Sequence, residues 1–112
     1  MTDRAFLGEF EQMVLSAVLR LGEQAYGAAI LTEIAKQTGR RVSSGALYVT
    51  LDRLEDKGLI ETRRGDPTPE RGGRPKRFVR VTRDGLDALR DVRKALLKLW
   101  RGLEGRLESR RT

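Results

Sequence analysis

Seven basic side chains, Arg63, Arg64, Arg71, Arg74, Lys76, Arg77 and Arg80, crowd one stretch of this chain. Between Thr62 and Arg80 only Asp66 and Glu70 oppose them. Within the stretch, Gly72-Gly73-Arg74-Pro75-Lys76-Arg77 reads as a flexible turn carrying an arginine on a narrow stem. The chemistry open to such a cluster is phosphate recognition. Guanidinium groups fork onto phosphate oxygens, and an arginine at a narrow tip fits a minor groove over A·T segments. A loop kept charged for solubility would carry the same residues. The whole chain leans the same way, with a net charge of +7 over 112 residues. That excess favours DNA, RNA or an anionic membrane surface as partner, without choosing among them.

A second set of candidate residues lies upstream. Ser43 fits the N-cap of a helix whose apolar side is Leu47, Leu51 and Leu54. The opposite face holds Gly45, Ala46, Val49, Asp52, Arg53 and Asp56, flanked by Tyr48 and Thr50. Small residues at the start of a helix allow close approach to a major groove, and its free N–H groups then point at phosphate. Val49 suits a thymine methyl, Arg53 a guanine edge or a phosphate, and Tyr48 a phosphate oxygen. Asp52 and Asp56 oppose such contacts unless they turn away from the DNA backbone. An ordinary amphipathic helix with a solvated outer face accounts for the pattern as well. On the nucleic-acid reading, the contact set is Ser43, Ser44, Ala46, Tyr48, Val49, Arg53, Arg71, Arg74, Lys76 and Arg77.

Other chemistries lack their residues. There is no histidine and no cysteine. Imidazole acid–base catalysis, thiolate metal sites and disulfides are therefore absent. No paired-carboxylate, nucleophile-elbow or Gly-rich phosphate-loop pattern is present, so an enzyme is not expected, nor a metal or cofactor. The first residues lack the basic-then-apolar order of a signal peptide, and no apolar run approaches the ~20 residues that span a bilayer. A reducing cytosol is the expected setting, with no membrane partner.

These residues need a scaffold, and the spacing of apolar positions supplies one. Phe10, Met13, Val14, Ala17, Val18 and Leu21 repeat at three and four, a helix that Gly22 ends. Tyr26-Gly27 opens a second helix along Ile30, Leu31, Ile34 and Ala35, closed by Gly39. The third follows Ser43 and stops near Gly58, a residue suited to the left-handed position past a helix end. Leu59 to Arg64 and Phe78 to Thr82 read as paired strands around a long loop holding all three prolines. Thr82 caps a last helix, with Gly102 and Gly105 weakening its end and the tail from Arg106 fraying.

The order helix, helix, helix, strand, wing, strand, helix is that of a winged helix-turn-helix, a mostly α fold with a small β-hairpin. Residues 1–82 would form the DNA-binding unit and 83–112 a dimerisation helix and tail. The apolar band of that last helix is wider than one packing surface needs. A second subunit would cover Leu89, Val92, Leu96, Leu99, Trp100 and Leu103. A large aromatic in a leucine-rich band serves core or interface, and Trp100 at a seam could also stack on a flat ligand.

Taken in order, several short motifs resemble the PadR family of bacterial transcriptional regulators. They are Tyr26-Gly27, Val42-Ser43-Ser44-Gly45-Ala46-Leu47-Tyr48, Leu51, Arg53-Leu54-Glu55 and Lys57-Gly58-Leu59-Ile60. Gly72-Gly73-Arg74-Pro75-Lys76-Arg77-Phe78 and Val81-Thr82-Arg83-Asp84-Gly85 complete the set. The likeness runs from about Leu7 to Trp100. It departs where the family usually has proline, at Ser44 and Val49, and at Val79 in place of a second wing aromatic, which leaves base preference open. The resemblance implies a homodimer on double-stranded DNA, commonly a repressor of a palindromic operator. It further implies that a small aromatic effector releases the DNA in some members, with Trp100 matching a drug-site tryptophan of the last helix. Two other functions fit the residues alone: a winged-helix module docking an acidic protein, and a non-specific architectural DNA binder.

Overall fold

A computed structural model describes residues 6–65 and 76–108. Three helices come first: α1 (Glu9–Leu21), α2 (Gly27–Thr38) and α3 (Ser44–Asp56). A short hairpin follows, β1 (Ile60–Arg64) and β2 (Arg77–Val81), then α4 (Arg83–Trp100) and a single turn and a half, α5 (Glu104–Glu108). The fold is a winged helix, and the three first helices, the two strands and the start of the last helix lie within a residue or two of their expected bounds.

The punctuation works by the expected chemistry. Gly39 ends α2 in the left-handed region at φ 75°, and Gly58 follows α3 at φ 76°. The Ser43 hydroxyl accepts from the Ala46 N–H at 3.1 Å, an N-cap worth about 1 kcal/mol. The short link from α1 to α2 contains a 3-10 turn, Gly22–Gln24. The link also gives the sheet a partial third strand: Val79 N–H donates to the Ala25 carbonyl at 2.8 Å, and Tyr26 bridges Phe78. Nothing in the hydrophobic periodicity signalled that pairing, because a single bridge leaves no alternating pattern.

The core joins Val14, Leu15 and Val18 of α1 with Ile30 and Ile34 of α2 and Leu47, Leu51 and Leu54 of α3. Each such side chain contributes roughly 1.5–3 kcal/mol by leaving water. Leu59, Ile60 and Val79 close it from the hairpin. The core continues past residue 82, the expected boundary, since Ala88 and Val92 of α4 are buried with it.

Two contacts fix how α4 leaves the hairpin. The Thr82 hydroxyl donates to the Gly58 carbonyl at 2.7 Å and accepts from Gly85 N–H at 3.1 Å. A β-carbon at Gly85 would lie 2.2 Å from the Leu59 carbonyl oxygen, so only glycine allows this approach. The last helix does not run on through Leu103. Arg101 turns extended and Gly102 takes φ 81°, which separates α4 from α5. Leu103 thus sits in the break, and residues 104–108 are helical where fraying was expected from Arg106. No helix among the described residues is long and apolar enough to cross a membrane.

Candidate nucleic-acid interface

The first half of α3 presents Ser44, Gly45, Ala46, Tyr48 and Val49 to solvent, with Ser43 at the cap. Tyr48 keeps 41% and Val49 53% of its surface exposed, on a helix whose other face is buried in the core. Thr50, placed on the flank by the sequence, is buried instead. Tyr48 leans across the start of α2, where its hydroxyl occupies the space a side chain at residue 27 would take: a β-carbon on Gly27 would fall 2.5 Å from it. Tyr26-Gly27 is thus structural on two counts, glycine for this approach and tyrosine for its ring contact with the hairpin.

The base of the wing is built on that ring. Tyr26 and Phe78 meet edge to face, centroids 5.7 Å apart. Lys76 Nζ lies 4.1 Å from the Tyr26 ring centre and the Arg63 guanidinium 4.8 Å from that of Phe78. Two cations thereby flank an aromatic pair, each contact worth about 0.5–1 kcal/mol at an exposed site. Arg64 is exposed. Arg80 pairs with Glu61 across the strands. Arg71 and Arg74, the expected tip contacts, lie outside the described residues.

Arg77 departs from expectation. Its guanidinium does not face outward with the wing. It turns onto α3, with Nη2 3.1 Å from both Asp52 Oδ1 and Glu55 Oε1. The cause is electrostatic: β2 begins beside the acidic edge of α3. The sequence held the signal in Asp52, noted as opposing DNA, but Glu55 was not connected to the wing.

Arg53 is exposed on the second half of α3, and its charge is felt by Glu11 of α1. Glu11 ties the first turn of α1 to its own cap and to the end of α3, accepting from the Gly8 N–H at 3.0 Å and from Lys57 Nζ at 2.7 Å. Partial burial pushes the Glu11 carboxyl up. The hydrogen bonds from Lys57 and Gly8 and the charges of Lys57 and Arg53 outweigh this and hold it below its ordinary value.

The sequence matches the transcriptional regulator PadR-like family over residues 14–91, a span that includes all of α2, α3 and the hairpin. The chain belongs to the PadR-like family of transcriptional regulators. It is 40% identical over 84 residues to the transcriptional regulator Rv3488 of Mycobacterium tuberculosis, covering 73% of this chain and 72% of the relative. A PadR family regulator from Eggerthella lenta superposes with a TM-score of 0.70 at 29% identity, covering 89% of this chain and 82% of that one. A complex structure of hsRosR-S1 gives 0.68 at 29% identity, over 91% and 83%. The chain is thus a DNA-binding regulator and not an enzyme.

In this PadR-like regulator α4 divides its apolar band. Val92, expected at a subunit seam, is buried in the chain's own core, because the side of α4 it occupies closes over α1. Leu89 and Leu96 are half-buried against the same core. Leu99 is 70% exposed, Trp100 50% exposed, and Leu103 is exposed. Leu97 and Leu107 are exposed too and were not in the expected set. Trp100 borders a shallow hollow of 540 Å³ with Leu89, Leu96 and Leu97 of its own helix and Gln12 and Ser16 of α1.

Proposed function

We propose that this chain is a homodimeric, sequence-specific repressor that reads a palindromic operator. The observation that carries the reading is the exposed first half of α3, with its small residues, Tyr48 and Val49, beside a basic hairpin. In this reading α3 lies in the major groove, with Ser44, Ala46 and Val49 against base edges. Ser43, Tyr48, Arg53 and Lys76 take phosphates, and Arg71 and Arg74 follow the flanking backbone or minor groove.

The dimer rests on the far end of α4. Leu97 and Trp100 stand exposed one turn apart on one side and Leu99 on another, and apolar surface at a helix end is what a second copy would cover. Two copies related by a two-fold axis place two α3 helices about one DNA turn apart, ~34 Å, which is why the operator should be a palindrome. A flat aromatic effector stacked on Trp100 would release DNA if it favoured another spacing of those helices. Reading an operator would place the protein in the cytoplasm, with the DNA it regulates.

Selection of bound duplexes from a random pool tests the reading. An enriched palindrome is expected. Enrichment of a single asymmetric half-site would overturn the dimeric part, and no enrichment would leave an architectural binder.

A further inference from the structure

Of the wing residues expected to meet DNA, Arg77 is set apart by its geometry. Arg77 Nη2 reaches two carboxylates of α3 at 3.1 Å each. The Arg77 side chain is only 24% exposed, against 67% for Asp52 and 43% for Glu55. Glu55 also accepts from the Thr62 hydroxyl at 2.9 Å, so both strands are fastened to the same helix.

The strand register gives a reason for the inward turn. Arg64 stands directly opposite Arg77 in the hairpin. Like charges facing each other across a strand pair repel. Turning one arginine onto the acids of α3 offsets that repulsion, and Arg64, on the same face of the hairpin, stays exposed beside those acids.

We propose that Arg77 is a positioning residue for DNA binding and not a DNA contact: it neutralises Asp52 and Glu55 and fixes the wing to the recognition helix. The proposal rests on α3 facing DNA. Two unpaired carboxylates on that helix would repel the phosphate backbone and invite hydrogen bonds from cytosine. One guanidinium shared between them lowers the local charge from −2 to −1 and occupies an acceptor on each.

The test is a coupling cycle on the full chain with one fixed duplex, measured across a salt series. Arg77→Gln should weaken binding roughly five- to tenfold in the natural background, the order of one close charge interaction screened by water. In the Asp52→Asn, Glu55→Gln background the same change should cost less than about threefold, since there is no longer a charge to compensate. The dependence of affinity on salt should keep its slope. A direct phosphate contact behaves differently: the loss is equal in both backgrounds and the slope falls by about one. That result, or no loss from Arg77→Gln at all, overturns the proposal.

A second variant serves if Arg77→Gln fails to fold. Asp52→Asn with Glu55→Gln alone removes the carboxylates that Arg77 offsets, so binding should hold or tighten at an unchanged salt slope. Weaker binding would mean that the carboxylates themselves contact the DNA, and would overturn the proposal. Failure of the natural chain to bind any duplex would instead sink the placement of α3 on DNA, and needs no variant to see.

Discussion

The Tyr48 hydroxyl lies in the space above the α-carbon of Gly27, so close that a methyl group at residue 27 would approach it to 2.5 Å. The contact joins the start of α2 to the exposed face of α3. The atom in the way is the far end of a side chain, so Gly27→Ala should be accommodated by swinging the ring outward. Stability should change by under about 1 kcal/mol, the helix propensity gained by alanine offsetting part of the disturbance. Binding to DNA should weaken several-fold, because the displaced ring disturbs the helix face that meets the groove. Tyr48→Phe in the same chain should recover the lost stability by removing the clashing oxygen, while binding stays weak for want of the hydroxyl's phosphate contact. Thermal melting and duplex titration of the two variants check this.

Leu99 is the most exposed leucine on α4. Leu99→Asp should therefore leave the protomer's melting behaviour, measured at dilution, within about 0.5 kcal/mol of the natural chain. In the dimer the same change buries a charge and should cost several kcal/mol. Sedimentation should show a folded monomer. A variant that stays dimeric would place the interface elsewhere.

Trp100 is the single tryptophan, so fluorescence reports on one place. Its half-exposed ring beside the α1–α4 hollow should be quenched saturably by flat hydrophobic dyes or phenolic acids, and Trp100→Ala should weaken their binding. Offset stacking contributes roughly 0.5–1.5 kcal/mol beyond burial. Operator binding should persist in that variant if the dimer does.

Glu11 links stability to pH. Its carboxyl is held below its ordinary 4.5, so the folded state binds the proton less readily than the unfolded chain. The stabilisation is complete above that ordinary value and is lost as pH falls through the lowered folded value. The pairing with Lys57 is partly solvated, and its contribution should be about 1 kcal/mol or less. Glu11→Gln should flatten the loss of stability below pH 4.5 in denaturant melts, its difference from the natural chain shrinking as pH falls.

Most of the fold was legible because its elements are bounded by strong local signals. Gly22, Gly39 and Gly58 sit after helices, Ser43 and Thr82 before them, and apolar residues repeat with helical spacing between. The contact surface was legible only in outline. Composition shows that Arg77 is basic and that Asp52 is acidic, but whether they meet depends on the angle between hairpin and helix, a tertiary quantity. Val92 misled for a related reason: periodicity finds an apolar band on α4 without dividing it between the chain's own core and a partner. The stop at Gly102 was read as weakness when its left-handed φ makes it a break. The Tyr26–Phe78 bridge has no periodic trace at all.

The central claim is that α3 reads base sequence from a two-fold symmetric dimer. Titration of the selected duplex in competition with random-sequence duplex, at ~0.15 M salt, tests it most directly. The account predicts two protomers per duplex and a preference of ~10³ or more over random DNA. Equal affinity for the two duplexes, or saturation at one protomer, would contradict it.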